Sequence, residues 1–330
     1  MRYTWCMRTA LVLGLEIIWA AWAVSASAQT AAQPWPQRTV RLLLPLGPGS
    51  GVDVVARLLA DPLSKRWGQP VVVENRPGGD GIVAIGGFVN AKDDHILLFS
   101  PSSSFTAHPY LHDNLPYRPA DLAPVARVSN TIIALSVPAA LPVQSLDELL
   151  KLVRAQPGKL NWAGVTGALD FMFASFLKST GLDISKVPYR NAVEAANDLA
   201  ENRIQVYRSA YAIIRAQVQA GKAKILALSN SVRAPALPNI PTVADAGYPE
   251  LIIDGLIGLF GPPSMPMDLR ERIAADVKAV IDSNPTFGER IALSGQFVNP
   301  GRPGEFGASI DQQRATLAAA AKQLGIAAKQ

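Results

Sequence analysis

The stretch Thr39–Arg57, TVRLLLPLGPGSGVDVVAR, decides the fold because a strand, a glycine-rich bend and a helix follow one another in it. The apolar run Val40–Leu44 predicts a buried strand, and a helix is predicted to begin near Val52. The bend between them consists of Gly47, Pro48, Gly49, Ser50 and Gly51. Its backbone N–H groups and the positive end of the helix dipole predict a site for a carboxylate or phosphate that needs no cationic side chain. A strand-to-helix turn without a ligand is the alternative.

Three known motifs also place glycines between a strand and a helix, and the sequence departs from each. A dinucleotide fingerprint that starts at Gly47 requires a small residue where Val52 stands. A phosphate-binding loop that ends in Gly-Lys-Ser/Thr lacks its lysine, and a nucleophile elbow centred on Ser50 requires glycine where Pro48 stands. Glu74, about 20 residues further on, keeps a dinucleotide site as an open alternative.

The N-terminus has the pattern of an export signal. Arg2 and Arg8 precede an apolar run from Ala10 to Val24, and Ala26-Ser27-Ala28 supplies a small-residue cleavage site. We therefore expect residues 1–28 to be a signal peptide that is cleaved after Ala28, which predicts an exported protein. An uncleaved anchor is the alternative.

The composition is that of a globular protein with room for two domains: 330 residues, 49% hydrophobic and 17% charged. Signal cleavage removes two basic residues and one acidic residue, so the net charge of +5 falls by one and the surface still favours anions. Lysines and arginines form no stripe, so nucleic acid is not an expected partner. Cys6 is the only cysteine and lies in the signal, so no disulfide or thiolate site is expected.

Strands and helices alternate after the signal, which predicts an α/β fold with a parallel sheet covered by helices. The first unit has predicted strands at Val40–Leu44, Pro70–Glu74 and His95–Phe99, and predicted helices at Val52–Trp67 and Ile82–Ala91. The second unit, from about Thr131 to Ser229, has predicted strands at Lys159–Ala163, Ile184–Val187, Ile204–Tyr207 and Lys224–Leu228. Its predicted helices begin at a capping box formed by Ser145 and Glu148, near Leu169, at the cap residue Asn191 and at Tyr211.

The last segment, with an apolar run at Leu251–Phe260 and two or three amphipathic helices, is expected to return to the first unit. The predicted lobes are therefore residues 29–130 with 250–330, and residues 131–249. Loops rich in glycine and serine follow the predicted strands of both units, at the edge where α/β sheets bind ligands. Two such edges that face each other predict a cleft.

Few side chains have the pattern of a reactive site. Asp53 lies in the first helical turn, where it either caps the helix or orders the ligand loop, and Asp170 has the same position in its helix. Arg208 follows a strand, so it is expected either to grip a second carboxylate in a bidentate manner or to be a solvated arginine at the cleft rim. No serine has a histidine and an acid at a recognisable spacing, so a hydrolase is not supported.

The histidines do not predict a metal site. His108 and His112 are four residues apart, but Pro109 interrupts them and no glutamate follows the first, whereas a zinc site needs three or four ligands. We expect the histidines to lie on a surface connection. Neither a metal nor a cofactor is predicted.

Six separated motifs resemble the extracytoplasmic solute receptors of tripartite tricarboxylate transporters, the Bug proteins. They are VRLLLPLGPGSGVDVVARLLADPL, GQPVVVENRPGGDGIVAIGG, LPYRPADLAPVARV, PGKLNWAG, VPYRNAVEAANDLAENRI and ALPNIPTVADAGYPE. The resemblance covers the mature chain in order. It implies an α/β, two-domain, periplasmic-binding-protein-like (type II) fold with an interlobe cleft that closes on a small carboxylate.

The resemblance also implies ligand-binding loops at positions 46–53, 100–105 and 164–170 of this sequence. With Arg208, the predicted ligand residues are Leu46, Gly47, Gly49, Ser50, Gly51, Asp53, Ser102, Ser103, Ser104, Thr166, Gly167 and Asp170. The sequence departs from the family at the bend, usually Ala-Gly-Gly, and at Phe171, where a histidine is common. The segment Tyr207-Arg208-Ser209 also differs, and Phe171 with Phe173 would favour an apolar or aromatic acid.

We therefore expect a monomeric receptor that delivers a carboxylate to integral-membrane transporter subunits by closing around a hinge near residues 129–133 and 248–256. A sensor or scavenger that presents the ligand to a signalling partner is one alternative. A periplasmic hydrolase or transferase is the other.

Overall fold

The strands form two mixed sheets, one of six strands and one of five. The computed structural model of the protein describes residues 35–164, 167–189 and 191–329. Both sheets belong to the single compact unit that begins at Arg38. The predicted signal peptide and its cleavage site after Ala28 lie outside the described residues.

The first sheet has the strand order β11-β4-β10-β3-β1-β2. Its strands are β1 Val40–Leu44, β2 Val71–Asn75, β3 Ile96–Pro101, β4 Ala123–Thr131, β10 Gly255–Gly261 and β11 Gln296–Gly301. Strand β1 pairs in parallel with β2 and β3, so Leu42 stands between Val73 and Leu97. Strand β10 runs antiparallel to both β3 and β4, and β11 runs antiparallel to β4.

The second sheet has the order β7-β6-β8-β5-β9. Its strands are β5 Ile133–Pro138, β6 Asn161–Gly164, β7 Ser185–Lys186, β8 Val206–Ala210 and β9 Ala223–Leu228. Strand β6 is parallel to β7 and β8, whereas β5 is antiparallel to β8 and β9.

Helices connect the strands of both sheets. They are α1 Gly51–Trp67, α2 Ile82–Ala91, α3 Ser103–Thr106, α4 His108–Leu111, α5 Leu146–Ala155, α6 Gly167–Thr180, α7 Ala192–Ala200, α8 Tyr211–Gln219, α9 Met267–Asp282, α10 Phe287–Ala292 and α11 Pro303–Leu324. None of the helices among the described residues combines the length and the apolar character of a membrane span.

Helix boundaries follow local signals in the sequence. Ser50 caps α1, since its Oγ accepts from the amide of Asp53, and Gly68 ends the helix in the left-handed conformation at φ 67°. Ser145 caps α5 by accepting from the amide of Glu148, and Asn191 caps α7. Both predicted caps are confirmed.

The prediction of parallel sheets is wrong, because both sheets are mixed. Strands β1–β3 and β6–β8 pair in parallel, as predicted. Strand β9, which was also predicted to be parallel, pairs antiparallel with β5. Strands β4, β5 and β11 were not predicted as strands, and the apolar run at 251–260 forms the antiparallel strand β10. A buried strand is apolar on both faces in either direction, so hydrophobicity alone does not reveal strand direction.

Candidate functional site

The bend after β1 is a tight turn of type II. The amide of Ser50 donates to the carbonyl of Gly47 over 3.3 Å, with Pro48 and Gly49 between them. Gly49 has φ 80°, which is the conformation that a type II turn requires at its third residue. Proline at the second position and glycine at the third are the residues that such a turn favours, so the departure from Ala-Gly-Gly preserves a tight bend.

Asp53 holds this turn against the neighbouring strand. Its carboxylate accepts from the Gly49 amide over 2.9 Å, from Arg57 Nε over 3.0 Å and from Asn75 Nδ2 over 3.0 Å. Asn75 Nδ2 also donates to the Leu46 carbonyl. Burial acts to raise the pKa of Asp53, but the hydrogen bonds from Arg57, Gly49 and Asn75 outweigh it and lower the pKa. Asp53 therefore orders the loop instead of capping the helix.

Two donors at the start of α1 remain available. The amides of Gly51 and Val52 donate to no residue that the structure describes, as expected for the first turn of a helix. Gly51 is required by packing, since a methyl group there would overlap the Gln296 side chain and lie 3.3 Å from the Ser294 carbonyl. Gly47 and Gly49 have open space where a side chain would project.

Three loops of the first sheet meet beside this turn. A methyl group on Gly81, which has φ 89°, would lie 3.0 Å from Cβ of Pro45 and 3.9 Å from Oγ of Ser104. Pro45 follows β1, Gly81 follows β2, and Ser104 follows β3. The parallel strands thus bring their carboxyl-terminal loops together, as predicted.

The three serines after β3 have different roles. Ser102 is fully buried, its Oγ donates to Gln313 Oε1 over 2.7 Å, and its amide donates to the Leu256 carbonyl. Its polar groups are therefore engaged with α11 and β10 instead of facing a cleft. Ser103 is partly exposed, and Ser104 is beside Gly81.

The loop after β6 is organised by Asp170. Its carboxylate lies against Gly164, where no side chain would fit, and forms an ion pair with Lys186. Burial raises the pKa of Asp170, while Lys186 and Arg208 act in the opposite direction. Asp170 Oδ1 is buried and has no hydrogen-bond partner among the described residues. Thr166, which was also predicted to bind ligand, lies outside those residues.

Arg208 is completely buried, so the alternative of a solvated arginine at the cleft rim is wrong. Its guanidinium donates to the carbonyl of Leu169 over 3.2 Å, to Ser229 Oγ over 3.0 Å and to the carbonyl of Leu251 over 3.1 Å. Burial lowers the pKa of Arg208 to about 10. In this conformation the side chain holds the first turn of α6 to the end of β9 and does not point a bidentate fork at a ligand.

Helix α4, which follows β3 in the chain, contacts the start of α6, which follows β6. Leu111 lies against Gly167 so closely that Gly167 has no room for a side chain. The rings of Tyr110 and Phe171 are 5.7 Å apart. Phe173, in contrast, lies in the core of the second sheet with its ring 5.0 Å from Trp162. Phe171 is therefore placed near the predicted cleft, whereas Phe173 is not.

The structure corrects the prediction for the histidines. His108 and His95 are buried, at 3% and 7% exposure, so they do not decorate a surface. Pro109 does not interrupt the helical segment, because it occupies an early position of α4, where proline is tolerated. His108 and His112 stay on one face, with ring centroids 4.9 Å apart.

The chain passes between the sheets through a polar network that the sequence did not reveal. Asn230 accepts from the amide of Ile133 and donates to the Thr131 carbonyl, both over 2.9 Å. Asp254 accepts from the amide and hydroxyl of Ser231. These residues lie at or beside the two segments where the hinge was predicted. Isolated asparagine and aspartate residues in loops give no sequence signal that distinguishes them from ordinary turn residues.

A solved periplasmic binding protein has this architecture. The periplasmic binding protein BugD is 25% identical with a TM-score of 0.67, over 88% of this chain and 99% of that chain. Rpa4515 of R. palustris, solved with adipate, is 27% identical with a TM-score of 0.72, over 89% and 99% of the two chains. The protein is therefore a two-lobed α/β periplasmic solute-binding protein, which confirms the predicted fold.

Sequence comparison identifies the family. A model of the "Tripartite tricarboxylate transporter family receptor" matches residues 55–302. BugT of Bordetella pertussis (strain Tohama I) is 30% identical over 287 residues, 84% of this chain and 87% of BugT. The chain belongs to the tripartite tricarboxylate transporter receptor family. Because members of this family are solute receptors, the prediction that the protein is not an enzyme is confirmed.

Proposed function

We propose that the protein binds a small carboxylate between its two sheets and delivers it to the membrane subunits of a tripartite transporter. The observation that carries this proposal is the start of α1. There, Asp53 fixes a type II turn, and the amides of Gly51 and Val52 that follow it donate no hydrogen bond to any residue that the structure describes. A helix of this length has a positive N-terminal end, which favours a negatively charged ligand. The adipate in the Rpa4515 structure is a ligand of this chemical class.

The ligand contacts come from both sheets in this proposal. The first sheet contributes the amides of Gly51 and Val52 and those of Ser103 and Ser104, none of which donates to a residue that the structure describes. The second contributes the loop at 164–170, whose local charge is favourable because Lys186 and Arg208 together exceed the one negative charge of Asp170. Arg208 acts as a positioning residue that fixes α6.

The two sheets are the two lobes of the proposed receptor. Residues 29–130 with 250–330 form one lobe, and residues 131–249 form the other. The crossings near Ile132 and Asp254 act as the hinge, and ligand contacts to both lobes stabilise the closed form. The proposal includes export by the signal at 1–28, cleavage after Ala28 and a monomeric receptor.

A thermal-shift screen of the purified protein tests the proposal. The probes are mono-, di- and tricarboxylic acids and aromatic acids, with adipate and its neutral analogue adipamide as a matched pair. A ligand that binds only the native state raises the unfolding midpoint by mass action. We expect at least one carboxylate to raise the midpoint while its neutral amide does not. Equal shifts for acid and amide, or no shift with any acid, would contradict a carboxylate receptor.

A further inference from the structure

Three side chains outside the predicted carboxylate contacts converge on one point. Asp80 lies in the turn after β2. His108 is the first residue of α4, and His112 directly follows its last residue. Asp80 Oδ2 is 3.3 Å from Nε2 of His108 and 3.1 Å from Nε2 of His112. One ligating atom of each residue lies within 4.8 Å of the other two. Two segments that are distant in sequence thus present two imidazoles and one carboxylate to a common space.

The hydroxyl of Tyr117 donates to the carbonyl of Ser104 over 3.0 Å and lies 2.6 Å from Nδ1 of His108. In the neutral tautomer that has its hydrogen on Nδ1, the ring donates to Tyr117, and Nε2 has a lone pair that faces the carboxylate of Asp80. Two electron-rich atoms at 3.3 Å require a cation between them, either a proton or a metal ion.

The distances suit a bound metal ion as well as a direct hydrogen bond. Zinc lies about 2.0 to 2.2 Å from imidazole nitrogen and carboxylate oxygen, so two ligands at a tetrahedral angle are separated by about 3.3 Å. The separations of Asp80 from the two imidazoles agree with that value. Tyr117 supplies the partner that metal-bound histidines commonly have on their second ring nitrogen. His108 is buried, so its ring orientation is fixed by packing as well.

The backbone at Asp80 is also unusual. Asp80 has φ 57° in the left-handed region and stands between two glycines that are themselves at positive φ, Gly79 at 55° and Gly81 at 89°. Such a conformation is uncommon for a residue with a side chain, and aspartate and asparagine adopt it more readily than most.

We propose that Asp80, His108 and His112 form a binding site for a divalent cation of the zinc type. Two imidazoles and a carboxylate are a common ligand set for zinc. Three protein ligands leave one position of a tetrahedral ion for water or for a small ligand. The site adjoins the carboxylate loops, because Gly81 follows Asp80 and contacts Ser104. It does not depend on the proposed carboxylate, since every group that defines it belongs to the protein.

Calorimetric titration with Zn²⁺ alone tests the site, on purified protein without an affinity tag and in a buffer free of carboxylates. We expect one equivalent to bind. Asp80→Asn should weaken binding at least tenfold, and it should fold normally because asparagine also tolerates the left-handed conformation. His112→Ala should have a similar effect, and Tyr117→Phe should weaken binding about 10- to 100-fold, as for other partners of metal-bound histidines.

His95→Gln is the matched control. His95 lies in the separate group Asp93-Asp94-His95, where Asp93 already pairs with Arg38 over 2.7 Å. Its replacement should leave Zn²⁺ binding unchanged. The proposal is overturned if no saturable binding occurs, which would assign a proton to the Asp80–His108 contact. It is also overturned if His95→Gln abolishes binding while Asp80→Asn preserves it.

Discussion

At the scale of single residues, burial decides what Arg208 does. An arginine beside a ligand edge is chemically suited to grip a carboxylate, and the sequence shows only its position after a strand. The structure shows that the guanidinium has no exposed surface and is bonded to Leu169, Ser229 and Leu251. A charge that is removed from water must be compensated inside the protein, and here the compensation comes from carbonyl and hydroxyl oxygens and from nearby Asp170.

Arg208→Met should therefore destabilise the protein. Its loss leaves buried acceptors without partners and removes one of the two cations near Asp170, so we expect the free energy of unfolding to fall by about 3 kcal/mol. Denaturant unfolding measures this, with Arg118→Met, at an exposed position, as the control. A contrary result would be wild-type stability together with a larger loss of affinity for dicarboxylates than for monocarboxylates. In that case the arginine binds the ligand, as the sequence suggested.

Asp53 gives a prediction for pH. The pKa of Asp53 is lowered in the folded protein, so its contribution to stability is complete above its unfolded pKa of about 3.9 and is lost as the pH falls through the folded value. Asp53→Asn should reduce stability at pH 6. Because the wild type loses this contribution in acid, the difference between the two proteins should shrink below about pH 4. A difference that stays constant from pH 6 to pH 3 would show that the charge of Asp53 is not what orders the turn.

At the scale of elements, the turn after β1 carries the clearest test of the ligand loop. Gly49 is at φ 80°, whereas Gly47 is not at positive φ, and both have open space around them. Gly49→Ala forces a side chain into a left-handed conformation, which costs roughly 1 to 2 kcal/mol and distorts the turn. Gly47→Ala should be nearly neutral.

The measurement is carboxylate affinity, by calorimetry, of these two variants. We expect Gly49→Ala to weaken binding about tenfold or more, since about 1.4 kcal/mol of strain corresponds to a factor of ten. Gly47→Ala should bind like the wild type. Equal affinities for the two variants would mean that the shape of the turn is unimportant for the ligand.

The elements also show how far the sequence could predict this structure. Strand β1 and helix α2 have the predicted limits, and α1 begins one residue before its predicted start, because apolar runs, glycines and caps act locally. Strands β4, β5 and β11 were missed, since their pairing is set by partners far away in the chain. The carboxylate loops were predicted from glycine and serine content, but the supporting residues Asn75 and Gln313 were not. Their role depends only on contacts that folding creates.

At the scale of the whole molecule, the two sheets are joined by crossings with their own polar network. Asn230 links the crossing near Ile132 to the crossing near Asp254. Its side chain forms hydrogen bonds with the backbone of Ile133 and Thr131 and with the carboxylate of Asp254. Gly255 permits the close approach of the return segment, since a methyl group there would lie 2.7 Å from Thr131 Cβ. These crossings are where we propose the hinge motion between the two sheets.

Closure should be visible in solution scattering. We expect the radius of gyration to decrease when a carboxylate identified in the thermal screen is added, because contacts to both lobes favour the closed form. Adipamide, the neutral analogue, should leave the radius unchanged. A carboxylate that binds tightly without changing the radius would show that the site is preformed and that binding involves no hinge closure.

Amide hydrogen exchange with and without the bound carboxylate shows whether the ligand binds at the glycine-rich bend. We expect slower exchange in the loops after β1, β3 and β6, with the largest change at residues 47–52. Slower exchange confined to another region would contradict it. One such region is the groove of about 400 Å³ that Met172 and Ser175 of α6 line with Gln323 of α11. In that case the glycine-rich bend would be only a connection between a strand and a helix.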